Sequence, residues 1–250
     1  MPNLLAHVSL IGEREANQDR VATLTLNDTA LAAVVDGMGG HAEGERAAEV
    51  AIETLVERFR EFSEQPSAEA PVFLRRALSD AHKAVVRLGA ALPLHLKPRA
   101  TCAVCLVRAG HACWAHVGDA RVYFLRAGKV LMRTRDHSHV ELLRREGLIS
   151  EKDLSRHPMR NYVELCLGGE PEEPSVSVSP PRPLEGGDTM VVCSDGFWSG
   201  LSEDAIGKLG APGGDQPLEA ELQRLAADAV KASSPHSDNT SVAAIRWLAG

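Results

Sequence analysis

The sequence predicts an α+β fold in which antiparallel sheets are covered by pairs of helices. Segments rich in β-branched and other apolar residues come in groups joined by short turns, which favours antiparallel pairing. Two pairs of segments with apolar residues at helical spacing separate these groups. The order is therefore strands, two helices, strands, two helices, strand. This order indicates helical layers outside paired sheets, and the residues alone leave the topology open.

The first group of strands fills the first forty residues, and two helices follow. Asn27-Asp28-Thr29 is a turn signal between two apolar runs and predicts a hairpin. Beyond this hairpin, apolar residues recur every three or four positions in two stretches divided by a polar segment. The elements predicted here are strands at Leu4–Ile11, Val21–Leu26 and Ala30–Val35, and helices at Gly44–Phe62 and Val72–Leu88.

The second half of the chain returns to strands and ends on one. Arg126-Ala127-Gly128 predicts another hairpin turn, and Gly147–Asn161 is polar and irregular. The predicted strands are Thr101–Val107, Ala112–Val117, Arg121–Leu125, Lys129–Met132, Ser175–Val178, Thr189–Cys193 and Thr240–Trp247. The predicted helical segments are Val140–Glu146, Glu203–Leu209 and Gln216–Ala232.

Size and composition favour a soluble enzyme-sized domain over other classes of protein. A chain of 250 residues accommodates one large domain, so a single domain over 1–250 is expected. The net charge of −7 argues against nucleic acid as a partner, because phosphate backbones attract basic surfaces. The sequence shows no apolar run of membrane-spanning length and no signal peptide. We therefore expect a cytoplasmic protein without a membrane partner.

The cysteines are expected to be reduced core residues. Their odd number, five, favours free thiols in a reducing compartment. Cys102 and Cys105 could be half of a zinc site, but they lie three positions apart in a predicted strand. Side chains at that spacing point to opposite faces of a sheet. The pair is therefore interpreted as core packing.

Four short acidic segments, spread along the chain, indicate a metal site. They are Asn17-Gln18-Asp19, Asp36-Gly37, Ser194-Asp195-Gly196 and Asp238-Asn239. Carboxylates at strand ends, beside glycines that allow close backbone approach, can gather hard oxygen ligands. A set without paired histidine or cysteine favours Mg²⁺ or Mn²⁺ over zinc. A single such aspartate is commonly a turn residue, but the whole set favours metal binding.

The same segments resemble a known family in their order and spacing. From Leu4 to Trp247, the chain is similar to the bacterial branch of the PPM-type metal-dependent protein serine/threonine phosphatases, also called protein phosphatase 2C-like. The motifs are Arg14-x-x-Asn17-x-Asp19, Asp36-Gly37-Met38-Gly39-Gly40-His41, Gly118-Asp119-Ala120-Arg121, Asp136-His137-Ser138, Ser194-Asp195-Gly196 and Asp238-Asn239-Thr240. The resemblance implies an α-β-β-α sandwich of two packed antiparallel sheets flanked by helix pairs. It also implies one catalytic domain over 1–250, with a flap at about 147–161 beside the site.

The resemblance implies two Mn²⁺ or Mg²⁺ ions and a third, weaker one. The implied metal residues are Asp19, Asp36, Gly37, Asp119, Asp195 and Asp238. Asp36 matches the aspartate that bridges both ions, Gly37 matches the residue whose carbonyl binds one of them, and Asp19 matches the position that holds metal-bound water. Asp119 matches a third-ion ligand of bacterial members, and a turn aspartate between strands is an equally good interpretation.

Three further residues are candidates for contact with the substrate. Arg14 matches the arginine that binds the phosphate, and its planar fork suits two phosphate oxygens. His41 is interpreted as a loop residue that touches substrate, and Arg160 as a flap residue that either touches substrate or supports the flap. Two departures from the family are Gln18, where Glu is common, and Met38, where eukaryotic relatives carry a histidine that is discussed as general acid.

The activity implied is hydrolysis of phosphoserine and phosphothreonine in proteins by a water activated between the two ions. Asp36 and Arg14 are the catalytic residues implied, and a serine/threonine protein kinase is the expected opposing partner. One alternative is a catalytically weak, phosphoprotein-binding pseudophosphatase. Another is a two-metal hydrolase of a different phosphoester. Retention of Asp36, Asp195 and Asp238 argues against the first, and the acidic balance argues against a nuclease.

Overall fold

The elements follow the predicted order closely. The structure is a computed structural model and describes residues 3–38, 42–65, 67–150, 153, 157–211 and 217–248. Its strands are β1 Asn3–Leu10, β2 Asp19–Leu26, β3 Thr29–Met38, β4 Arg99–Arg108, β5 His111–Val117, β6 Arg121–Arg126, β7 Lys129–Arg133, β8 Leu167–Gly168, β9 Ser177–Val178, β10 Arg182–Pro183, β11 Thr189–Cys193 and β12 Thr240–Trp247. Its helices are α1 Ala42–Ser63, α2 Ala70–Leu88, α3 His139–Arg145, α4 Asp195–Trp198, α5 Glu203–Gly207 and α6 Leu218–Ser233.

The strands form two antiparallel sheets. Five strands are ordered β1-β12-β11-β6-β7 in one sheet, here called sheet A. Sheet B has the order β10-β5-β4-β3-β2, and the two-residue strands β8 and β9 pair with β4 and β5. Sheet A joins the two ends of the chain, because β1 pairs with β12 along its whole length.

Alternation along the strands divides the interior into three apolar layers. In β3, Leu31, Ala33 and Val35 pack against α1 and α2, whereas Ala30, Ala32 and Val34 face the other sheet. Sheet A has the same alternation, with one face against sheet B and the other against α4, α5 and α6. Strands covered on both faces read as continuous apolar runs. The expected α-β-β-α sandwich is therefore confirmed.

Two-residue turns join the neighbouring strands where turns were predicted. Asn27 and Asp28 have φ of 45° and 63°, and Ala127 and Gly128 have φ of 49° and 77°. Positive φ at both central residues is the geometry that matches the twist of paired strands. Both predicted hairpins are confirmed.

Several boundaries differ from the prediction, and one difference bears on the site. Strand β2 begins at Asp19 rather than Val21, because Asp19 and Arg20 pair with Asp36 and Val35 of β3 despite their polarity. The strand expected at Ser175–Val178 is only two residues long. Strands β8 and β10 were not predicted, since two residues carry no periodicity.

The cysteines are free, and four of the five are buried. Cys102 lies in the layer under α1 and α2, and Cys105 lies between the sheets, so their side chains diverge as predicted. Cys166 is only partly buried, which corrects the expectation that all five fill the core. No helix in the described part of the chain is both long and apolar enough to cross a membrane.

Candidate active site

Sheet B contributes two aspartates at one end of the sandwich. Asp19 of β2 and Asp36 of β3 are directly opposite each other in the antiparallel register. Val21 and Val34, two residues inward on each strand, contact the layer between the sheets. Since side chains two apart share a face, both carboxylates face the space between the sheets. The apolar layer thus gives way to acidic groups at this end.

Sheet A contributes two more aspartates to the same end. Strand β11 ends at Cys193 and runs through Ser194 into α4, whose first residue is Asp195. Its antiparallel neighbour β12 begins at Thr240, directly after Asp238 and Asn239. A Cβ at Gly196 would lie 2.1 Å from the carbonyl oxygen of Asn239, so the two segments can meet only with glycine there.

A fifth aspartate, Asp119, lies in the turn between β5 and β6. Its side chain is buried, and its carbonyl accepts a hydrogen bond of 2.9 Å from the indole nitrogen of Trp198. The guanidinium of Arg121 stacks on the Trp198 ring at 3.4 Å and donates two hydrogen bonds of 2.7 Å to Asp136. The turn that carries Asp119 is therefore fixed by packed groups on both sides.

These segments border one cleft of about 560 Å³. Its lining residues are Glu13, Arg14, Glu15, Ala16, Gln18, Asp36, Gly37, Met38, Asp119, Asn161, Val163, Asp195, Asp238 and Asn239. A depression of about 580 Å³ beside α1 and α2 is as large, but it includes none of the predicted site residues. Chemistry rather than size therefore identifies the candidate site.

The carboxylates oppose one another's ionisation. Burial raises the pKa of Asp19 to about 7, the hydroxyls of Ser194 and Ser241 oppose this effect, and the nearby Asp195 and Asp238 add to it. Burial and then the charge of Asp238 raise the pKa of Asp195 to about 6. The pKa values of Asp36 and Asp119 are raised as well, first by burial and then by neighbouring aspartates.

The donor set fits divalent cations. Oδ1 of Asp19 and Oδ1 of Asp195 are buried and have no hydrogen-bond partner among the described residues. A cation would satisfy such oxygens and offset the mutual repulsion. Within the described ranges, no three acidic, histidine or cysteine side chains already stand in a ligating arrangement.

Arg14 is held at the mouth of the cleft by the loop between β1 and β2. Its Nη2 donates to Oδ2 of Asp238 at 2.7 Å, and its side chain is about half exposed, at 56%. The backbone of Glu13 donates to the carbonyl of Ser237 at 3.1 Å. A Cβ at Gly12, which has φ of +63°, would lie 2.3 Å from the carbonyl oxygen of Asp238. The arginine loop is thus closely packed on the segment that precedes β12.

Asn239 fastens this loop, and the sequence analysis gave it no role of its own. Its amide nitrogen donates to the carbonyls of Ile11 and Ala16 at 2.9 and 3.0 Å, and its Oδ1 accepts from the backbone of Gln18 at 2.8 Å. Asn239 is also buried. An asparagine beside a candidate ligand was the only sequence signal, and its partners lie more than 220 residues away along the chain.

Gly37 is explained by helix packing as well as by its place in the cleft. A Cβ at Gly37 would lie 1.9 Å from the carbonyl oxygen of Gly44, in the first turns of α1. Gln18 lies against the other side of this contact, because a Cβ at Gly44 would meet its Nε2 at 2.7 Å. The glycine therefore allows α1 to begin directly beside Asp36.

The predicted site residues are not all brought together. Arg14, Asp36, Gly37, Asp119, Asp195 and Asp238 line the cleft, and Asp19 is 2% exposed and near enough to raise the pKa of Asp36. Arg160 does not line the cleft, but its Nε donates a hydrogen bond to Asn161, which does line it. His41 lies outside the described residues, as does part of the proposed flap. Ser194 is fully buried, which removes it as an accessible nucleophile.

His116 and His137 have structural partners. His116 is buried and bonded to the carbonyl of Arg135, and its ring stacks on that of His137 at 4.5 Å. Nδ1 of His137 accepts from the backbone of Gly118 at 3.3 Å. Burial, with His116 beside it, lowers the pKa of His137 to about 4. These contacts give both histidines a structural role.

Known proteins similar to this chain share its sequence pattern and its fold. The family model described as protein phosphatase 2C matches residues 8–232. The serine/threonine phosphatase stp of Listeria monocytogenes is 32% identical over 195 residues, which is 76% of this chain and 75% of that protein. The serine/threonine protein phosphatase PstP of Mycobacterium tuberculosis is 29% identical over 209 residues and 81% of this chain. The match spans 39% of the PstP sequence, so the chain corresponds to about two fifths of that relative.

Solved structures extend the similarity over almost the whole fold. The S. agalactiae serine/threonine phosphatase superposes with a TM-score of 0.87 at 24% identity and covers 99% of this chain and 100% of its own. The catalytic domain of PstP, in complex with two manganese ions, has a TM-score of 0.81 at 26% identity and covers 99% of each chain. Since the family model matches most of the sequence, the chain belongs to the protein phosphatase 2C family.

Proposed function

We propose that this chain hydrolyses phosphoserine and phosphothreonine in proteins with the help of Mn²⁺ or Mg²⁺. The observation that carries the proposal is the convergence of five aspartates from two sheets, four of them lining one cleft. Carboxylates that raise one another's pKa would be stabilised by a bound cation. The unpartnered oxygens of Asp19 and Asp195 are hard donors that suit such an ion. The names of the relatives and the two manganese ions of the PstP domain support the same activity.

The residues proposed to hold the ions are those that the sequence pattern selected. Asp36 is central, since it has the charges of Asp19, Asp119, Asp195 and Asp238 around it. The carbonyl of Gly37 is a further candidate ligand, and Asp119 would serve a third ion. When bound, divalent ions supply electrostatic stabilisation of the phosphoryl oxygens and lower the pKa of a water molecule.

The remaining residues bind and orient the phosphorylated substrate. Among the described residues that line the cleft, Arg14 is the only cation, and its guanidinium suits two phosphoryl oxygens. Its pairing with Asp238 holds it at the mouth, where a phosphoryl group would enter. His41 and Arg160 are proposed as further substrate contacts. A serine/threonine protein kinase is the proposed opposing enzyme.

The test compares three classes of substrate on one preparation. Purified protein is incubated with a phosphothreonine peptide, single-stranded DNA and a nucleotide, each with Mn²⁺, with Mg²⁺ and with excess chelator. We expect release of phosphate from the peptide only, with either metal, and none with chelator. Asp36→Asn controls for a contaminating phosphatase, and Glu57→Gln, on an exposed face of α1, is the matched charge-removing control.

Each alternative predicts a different result. Binding of the phosphopeptide without turnover would indicate a pseudophosphatase. Preferred cleavage of DNA or nucleotide would indicate a different two-metal hydrolase. Undiminished peptide hydrolysis after thorough metal removal would refute the metal-dependent proposal.

A further inference from the structure

A row of three serines crosses the end of sheet A beside the proposed metal site. Ser9 of β1 is opposite Ser241 of β12 in the register. Ser194 directly follows β11, and its backbone N–H donates a hydrogen bond of 3.0 Å to the carbonyl of Ser241. Alternation from Val192 and Ala243, which contact the layer between the sheets, places Ser194 and Ser241 on that same side. The hydroxyls therefore face sheet B.

The row closes a ring of hydrogen bonds with β2 across the two sheets. Ser194 Oγ donates to Oδ2 of Asp19 at 2.8 Å, and Ser241 Oγ donates to Ser9 Oγ at 2.8 Å. The side-chain amide of Asn17 donates to Ser9 Oγ at 2.9 Å, and its oxygen accepts from the backbone of Asp19 at 3.0 Å. Asp19 is thus held both through its backbone and through its carboxylate.

Ser194 is oriented by the strand next to it. Its Oγ accepts a hydrogen bond of 3.0 Å from the backbone nitrogen of Ser241. A serine hydroxyl has one proton to donate. With a lone pair committed to the Ser241 N–H, that proton is directed to Asp19, since the competing carbonyl of Ser241 is farther, at 3.5 Å. The backbone of sheet A therefore sets the direction of a hydrogen bond to a carboxylate of sheet B.

The two carboxylate oxygens of Asp19 differ in their hydrogen bonding. Oδ2 is occupied by the Ser194 hydroxyl, whereas Oδ1 is buried without a partner among the described residues. Asp19 is 2% exposed, so water competes little for either oxygen. A carboxylate held in this way offers a single oxygen in a fixed position.

We propose that Ser194 is a positioning residue that orients the Asp19 carboxylate toward the divalent ions of the cleft. This inference rests on the proposed function. Hydrogen-bond partners of ligating groups tune metal affinity, and their loss weakens it about 10- to 100-fold. Ser194 acts through Asp19 and has no contact with substrate, because it is fully buried.

The test measures Mn²⁺ affinity by calorimetry, without substrate. Ser194→Ala is expected to weaken Mn²⁺ binding at least about tenfold, while kcat on a small aryl phosphate recovers at high Mn²⁺. Ser63→Ala is the matched control, because Ser63 is also a buried serine with a hydrogen-bonded hydroxyl, at the far end of α1. Its Mn²⁺ affinity should equal that of the wild type.

A double-mutant cycle separates positioning from general structural damage. In an Asp19→Asn background the serine has no carboxylate to orient, so adding Ser194→Ala should change Mn²⁺ affinity little. Removing the buried charge also favours folding, which keeps this pair measurable if Ser194→Ala alone folds poorly. Equal losses in both backgrounds, or unchanged affinity in Ser194→Ala, would overturn the inference and leave the proposed function standing. Absence of both Mn²⁺ and Mg²⁺ binding by the wild type would overturn both.

Discussion

Asp19→Asn should stabilise the metal-free protein while weakening its affinity for metal. The pKa of Asp19 rises from 3.8 to about 7 on folding, chiefly by burial. That difference corresponds to about 4 kcal/mol between the two protonation states. Asparagine removes the charge and can still accept the Ser194 hydrogen bond. The amide nitrogen of asparagine then takes the place of the unpartnered Oδ1. Burying its N–H groups without a partner costs about 1–3 kcal/mol.

The net gain should therefore be about 1–3 kcal/mol at pH 8, and it should depend on pH. Because the folded pKa lies above the unfolded value, the stability contributed by Asp19 is full below about pH 4 and is lost as the pH rises toward 7. Asparagine does not titrate, so its advantage over the wild type should be largest at pH 8 and small at pH 5.

The assay is urea unfolding in excess chelator at pH 5 and pH 8, for wild type, Asp19→Asn and the exposed control Glu57→Gln. A gain of 1 kcal/mol would appear as an increase of about 2–4 °C in Tm in a parallel thermal scan. The reasoning would be refuted if Asp19→Asn destabilised the protein at pH 8. It would also be refuted if the gain were the same at both pH values or were matched by Glu57→Gln.

Three other changes test the remaining parts of the site. Asp36→Asn should remove most Mn²⁺-dependent turnover of a phosphothreonine peptide without unfolding the protein, because it relieves charge repulsion around a buried carboxylate. Near wild-type turnover at moderate Mn²⁺ would contradict its central role. Arg14→Ala should raise KM at least about tenfold, since a hydrogen bond to a charged group contributes about 1.5–3 kcal/mol. Unchanged kcat/KM on peptide and aryl phosphate would show that Arg14 is an ordinary solvated surface residue. Asn239→Ala should lower the free energy of unfolding by about 3 kcal/mol, because three backbone groups lose a partner of about 1 kcal/mol each; a loss below about 1 kcal/mol would show that water replaces the amide.

The pattern of apolar residues predicted most strands, because a strand buried on both faces is apolar at nearly every position. The run before Asp36 is apolar at every position, and β3 is buried on both faces. Asn27-Asp28 predicted its hairpin because few residues tolerate positive φ at both central positions. The same reasoning failed at the start of β2, where Asp19 and Arg20 lack strand character. Their pairing with β3 is decided by the register of the hairpin.

The sequence by itself selected most of the aspartates that line the cleft, through aspartates beside glycines and their order along the chain. Only the tertiary structure decided how they meet. Arg14 reaches Asp238 across 224 positions, and Ser194 reaches Asp19 across 175. Periodicity reports the environment of a residue within its own strand or helix. Contacts between sheets depend on strand register and on backbone approach at positions such as Gly12 and Gly196. For that reason the sequence shows only that Ser194 is next to Asp195, a proposed metal ligand. The packing of the two sheets shows that its hydroxyl donates a hydrogen bond to Asp19.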